Sequence, residues 1–135
     1  MIKWAGWLIS FVGAAHTILA LTLEKAARHA GAWFSGELWG EDLSAMSPAN
    51  SAYWLSLSSF GIPLLLVGLL VLWLDRRAIV PPTFVAWTLA ALTVCDAVIL
   101  GPTPGLLILV AVVLMLVEAR RTRIPDGARV RQPRR

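Results

Sequence analysis

Four stretches of this sequence are almost free of charge: about 4–23, 52–74, 83–100 and 102–118, with Asp96 inside the third and Glu118 closing the fourth. A helix that crosses the hydrocarbon of a bilayer needs about 20 apolar residues, with a tolerated range of about 17 to 25. Each stretch is long enough, the fourth just so. An apolar content of 58% and a mean hydropathy of +0.72 exceed what a soluble domain carries. The expected fold is an all-α integral membrane four-helix bundle over 1–121, with an outer loop at 31–51 and an Arg-rich disordered tail at 122–135. Lys3 before an apolar run resembles the start of a signal peptide. His16 interrupts that run and no A-x-A site closes it, so a retained span is expected. Cys95 is the only cysteine, which rules out an intrachain disulfide.

The basic residues orient the chain. Lys3, Arg76, Arg77, Arg120, Arg121, Arg123, Arg129, Arg131, Arg134 and Arg135 fall on one side of the spans, and only Lys25 and Arg28 on the other. Basic residues stay cytoplasmic, so both termini are expected there, as an even number of spans also requires. The tryptophans fit the same frame. Trp4, Trp7, Trp73 and Trp87 mark the inner interface, and Trp33, Trp39 and Trp54 the outer one.

The connections differ in character. DRRAIVPP is a short basic turn whose prolines start the third helix, and GPTPG breaks the chain again outside. EKAARHAG keeps helical spacing, pairs Glu24 with Arg28 and offers Gly31 as a stop, so the first helix is expected to project about two turns above the membrane. In AWFSGELWGEDLSAMSPANS, aromatic and aliphatic residues alternate with acids. A short surface helix or hairpin over the outer mouth is expected, with Trp33 and Trp39 at the interface and Phe34, Leu38 and Met46 directed inward or into lipid. The tail, with its arginines, suits anionic lipid headgroups. No nucleic-acid partner is expected.

In lipid, helices associate through close backbone approach, so small residues on one face reveal the contacts. Gly6, Ser10, Gly13, Thr17 and Ala20 form such a seam on helix 1; Ser58, Gly61 and Gly68 on helix 2; Ala86, Ala90, Thr93 and Ala97 on helix 3. Helix 4 has almost none after Gly105 and is expected to face lipid most, or a second copy in a homodimer. Pro63 frees a carbonyl near Ser59 and kinks helix 2, with Ser56, Ser58 and Ser59 ready to solvate the kink.

His16 lies about 60° from Gly13 around the helix, and Asp96 about 60° from Thr93. Counted at about 1.5 Å per residue, His16 is roughly 10 Å and Asp96 about 6 Å inside the outer end of its span. A carboxylate in hydrocarbon must be paired, protonated or wetted, and His16 is the one ionisable side chain at its level. The expected site therefore joins His16 and Asp96 to Thr17, Thr93 and Trp54 as a ligand-binding pocket for a lipophilic molecule entering from the outer leaflet. An acid/base enzyme using His16 and Asp96, a structural or regulatory subunit, and a buried His16–Asp96 clamp are the alternatives. His29 is 13 residues beyond His16, too far along a helix to share a metal or haem with it. No P-loop, dinucleotide, zincin or serine-hydrolase motif occurs, and neither cofactor nor metal is expected.

WAGWLISFVGAAHTILAL, FGIPLLLVGLL and GPTPGLLILVAVVLMLVEAR together resemble small four-helix bacterial membrane proteins of a family of unknown function, over Met1 to about Arg121. That resemblance implies four helices and residence in a bacterial cytoplasmic membrane, and it implies no activity. In length and helix number the chain is also similar to the small multidrug exporters, but it has His16 where they carry a glutamate in helix 1. Its one-sided charge forbids the dual insertion open to them.

Overall fold

The computed structural model describes residues 1–101 and 103–123. Pro102 and the part of the expected tail at 124–135 lie outside the described residues. Those described are all-α, with no strand among them. In chain order the helices are α1 (Ile2–Thr22), α2 (Ala30–Ser35), α3 (Pro48–Ser56), α4 (Gly61–Arg76), α5 (Thr83–Leu100) and α6 (Leu107–Arg123). Three segments are long and apolar enough to cross a membrane: α1, the 29 residues Pro48–Arg76 that hold α3 and α4, and α5. The chain is therefore a multi-pass membrane protein.

α1 is the central helix. It packs most extensively on α4 and then on α6, while α5 packs chiefly on α6. Two adjacent stripes on α1 serve the two neighbours. Gly6, Ser10, Gly13 and Thr17 meet α4, where a Cβ on Gly13 would lie 2.5 Å from the Leu65 amide nitrogen and 2.6 Å from the Gly61 carbonyl. A Cβ on Gly68 would lie 2.5 Å from the Ser10 amide nitrogen and 2.9 Å from the Gly6 carbonyl. Gly6 thus faces Gly68 and Gly13 faces Gly61. Both pairs are seven residues apart, so an antiparallel heptad register brings two backbones into contact twice on one seam.

Ile2, Ala5, Ile9 and Val12 form the second stripe, in one buried cluster with Leu64 and Val71 of α4, Ala86 and Leu89 of α5, and Ile108, Ala111, Val112 and Met115 of α6. That cluster corrects the expectation that the last helix faces lipid most. α5 does so instead, with 11% of its span buried against 39% for α1. The seam criterion finds only helices in backbone contact. α6 packs through large interlocking side chains, which gain dispersion energy without close approach.

The second apolar stretch is broken where a kink is expected. α3 stops at Ser56 and α4 starts at Gly61, which leaves Pro63 in the first turn of α4, where a missing N–H removes no helical bond. The serines do solvate the break. Ser59 Oγ donates to the Ser56 carbonyl at 3.0 Å, and Ser56 Oγ donates to the Ala52 carbonyl at 2.6 Å. α4 spans about 24 Å at 1.5 Å per residue, so the break lies near one edge of a hydrocarbon core about 30 Å thick.

The projection of α1 is likewise corrected. The helix ends at Thr22, Lys25 takes a left-handed conformation at φ 59°, and the chain folds back through a 3-10 turn at Ala26–His29 with Ala26 buried. That turn packs on α3, and contact with α3 outweighs the Glu24–Arg28 pair, which does not form; Arg28 Nε donates to His29 Nε2 at 3.0 Å instead. Gly31 falls inside α2, whose stop is Gly36 at φ 84°.

Placing Val at Gly13 puts side-chain atoms into the backbone of α4, and overpacking of this kind costs about 1 to 3 kcal/mol. Gly31 has nothing within 4 Å of a Cβ, so Gly31→Ala should be neutral or stabilise by up to about 1 kcal/mol through helix propensity. Thermal unfolding in detergent should rank Gly13→Val well below wild type and Gly31→Ala at or above it. Equal effects would contradict the seam.

Candidate functional site

His16 is half-buried on α1, opposite the α3–α4 break. Its Nε2 lies 2.9 Å from Ser59 Oγ, and its ring sits over Phe60 with centroids 4.1 Å apart at an interplanar angle of 33°. Phe60 immediately precedes α4. Imidazole, hydroxyl and aromatic ring therefore close the gap between two half-helices. The next turn of α1 continues the contact: Thr17 Oγ1 donates to the Gly13 carbonyl at 3.2 Å and lies against Gly61, where any Cβ would collide with it. The lack of a side chain at Gly61 is what lets His16 and Thr17 approach the break.

The polar order here follows from the cost of leaving backbone groups unpaired in hydrocarbon, several kcal/mol each. The end of α3 leaves carbonyls without helical partners, and the Ser59 hydroxyl reaches one of them. His16 then holds that hydroxyl in place. The single enclosed polar side-chain atom without a partner among the described residues is Ser10 Oγ, against Gly68 on the same seam.

The other expected site residues are divided. Trp54 is half-exposed on α3. Thr93 is buried on α5, and Asp96, one turn further out, is exposed with no ion pair or hydrogen bond among the described residues. The His16–Asp96 contact is therefore absent, because α5 packs on α6 and its outer end carries no fully buried residue beyond Thr93. Ser59, Phe60 and Gly61 are the partners of His16 instead. Pro63 is the sequence signal that points to them: it marks a break in the helix before it, the Ser56 and Ser59 hydroxyls answer carbonyls there, and His16 meets Ser59.

The segment between α1 and α3 caps α3. Trp33 Nε1 donates to the Ala49 carbonyl at 2.8 Å, and its ring meets Tyr53 edge-on at 5.9 Å. Glu41 accepts from the Ser47 amide at 3.3 Å and from Asn50 Nδ2 at 2.9 Å, and these bonds hold its carboxyl below the usual range, first through the Ser47 side chain. The Asp42 carboxyl is lowered too, by the Ser44 amide it accepts from. These contacts hold Trp33 against α3. Phe34 and Trp39 are almost fully exposed, so Phe34 covers no mouth of the bundle.

Two open hollows of about 200 Å³ are present, one between α5 and α6 beside Trp87 and Arg120, the other between the Ala26–His29 turn and α3. Neither is lined by His16, Thr17, Trp54, Thr93 or Asp96. Among the described residues no three His, Cys, Asp or Glu side chains gather to hold a metal ion.

The fold and this polar junction define a small helical multi-pass membrane protein. A family model matches residues 1–123, and the chain belongs to that family, a family of unknown function (DUF6463). No curated protein and no solved structure matches the chain.

Proposed function

We propose that this protein spans a bacterial cytoplasmic membrane four times with both termini inside, and that it binds a lipophilic small molecule in the outer half of the bundle. The charge bias of ten basic residues against two supports the orientation. α6 with its preceding turn, Pro104–Leu106, supplies the fourth crossing: the apolar run 104–117 gives about 21 Å of helical rise before Glu118 and the basic end of the helix. The observation that carries the binding reading is Asp96. A carboxylate exposed at membrane depth on a helix needs a proton, water or a polar partner, because leaving it bare in hydrocarbon costs several kcal/mol.

The site comprises His16, Thr17 and Trp54 around the α3–α4 break, and Thr93 and Asp96 at comparable depth on α5. A ligand enters laterally from the outer leaflet and sets its polar end either at the His16 group or at the Asp96 group, since α5 packs on α6 rather than on α1, with its apolar part against the exposed helix faces. A second reading, a structural or regulatory subunit, is favoured by the low burial of α5. Its exposed face would then meet a larger membrane complex or a second copy of the chain.

Two experiments test these readings. In a Cys95→Ser background, cysteines at Ser44 and Thr122 should react with an impermeant reagent from opposite sides of sealed cells, Ser44 from outside. Reaction of both from one side would remove the four-span topology. Native mass spectrometry of the protein extracted with its lipid should detect a lipophile of defined mass that is lost in His16→Ala or in Asp96→Ala. A ligand-free wild type, or one whose ligand survives both changes, would favour the subunit reading.

A further inference from the structure

The hydrogen bonds around the α3–α4 break limit what a ligand's polar end can be. A hydroxyl has one proton to give and a carbonyl oxygen has none. The Ser56 hydroxyl proton goes to the Ala52 carbonyl, that of Ser59 to the Ser56 carbonyl, and that of Thr17 to the Gly13 carbonyl. Because Ser59 Oγ has already given its proton away, its 2.9 Å contact with His16 Nε2 is a hydrogen bond only if the ring nitrogen donates. Reversing that bond would orphan the Ser56 carbonyl at the edge of hydrocarbon, where an unpaired group is most costly. The proton of His16 therefore resides on Nε2.

A neutral ring that donates from Nε2 carries its lone pair on Nδ1. Nδ1 has no hydrogen-bond partner among the described residues. It is also not among the enclosed unpartnered atoms, which number one, Ser10 Oγ. Nδ1 therefore reaches the outside of the bundle. Phe60 lies beside it, and Trp54 is half-exposed on the neighbouring half-helix. Beside Nδ1 the junction thus presents an acceptor and aromatic surface, and the hydroxyl protons of Ser56, Ser59 and Thr17 are engaged internally.

We infer that His16 Nδ1 is a binding site for a lipophile whose polar end is a hydrogen-bond donor, such as a phenol or an alcohol, in preference to acceptor-only ketones, quinones, ethers and esters. The inference rests on the proposed binding function and deepens it: it names the class of ligand through the tautomer of one ring. A donor hydroxyl completes the set at Nδ1, while an acceptor brings a second lone pair against the first. The ordering of the junction comes from backbone carbonyls that exist with or without a ligand. The discrimination is therefore built before binding.

The test uses the full chain with 15N-labelled histidine in lipid nanodiscs, carrying His29→Gln so that only His16 is observed. The side-chain 15N spectrum should show a proton on Nε2 and a bare Nδ1. Adding para-octylphenol should move the Nδ1 signal and leave Nε2 in place, and its methyl ether should bind about tenfold more weakly, the share of one hydrogen bond in an apolar setting. A proton on Nδ1 overturns the inference, and so does equal binding of the ether. In either case a lipophile that copurifies with the wild type leaves the broader binding function standing. If neither compound moves the signal and nothing copurifies, both fall together.

Discussion

The backbone contact between Gly13 and Gly61 is the constraint on which the rest of the structure depends. In water, two apolar helices are driven together by the loss of hydration, but in lipid that force is absent and association rests on fit. Glycines seven residues apart on both helices let α1 and α4 touch at Gly13–Gly61 and again at Gly6–Gly68. With α4 fixed on one stripe of α1, the adjacent stripe is left for α6, and α5 is carried on α6. The order α4, α1, α6, α5 follows, and α5 is left as the helix with the most open surface.

The same crossing places the break in the second span. Pro63 forbids a continuous helix through Ser59, and the chain answers by ending α3 at Ser56 and restarting at Gly61. Any such break exposes carbonyls, and in a membrane the groups that satisfy them must come from the protein. Ser59 and Ser56 supply hydroxyls from the chain itself, and His16 and Phe60 complete the closure across the helix pair. A histidine inside an otherwise apolar helix is therefore explained first by a neighbour's broken backbone. Its remaining lone pair is then available for binding.

Much of this is legible in the chain. Runs of apolar residues between basic and proline-rich turns mark the membrane-crossing helices, and small residues at heptad spacing mark the α1–α4 seam. Other features are not legible, for physical reasons. The packing of α6 uses Ile108, Val112 and Met115, which look the same whether they meet lipid or another helix. The partner of His16 is hidden when charge is weighed before backbone: Asp96 is the obvious ionisable match, yet the broken backbone also needs polar partners in lipid, and its Ser59 hydroxyl is the group that meets His16. At Lys25, a left-handed turn at a non-glycine residue carries no signal in the residue type.

The central claim is that His16 is present to close the α3–α4 break through Ser59. A double-mutant cycle by thermal unfolding in detergent, using His16→Ala, Ser59→Ala and both together, reads that bond most directly, with an Asp96→Ala cycle as the reference. The pair in contact should show a coupling of about 1 kcal/mol, the size of one hydrogen bond, while His16 and Asp96 should add to within about 0.5 kcal/mol. Additive behaviour of His16 with Ser59, joined to strong coupling of His16 with Asp96, would contradict this structure of the junction.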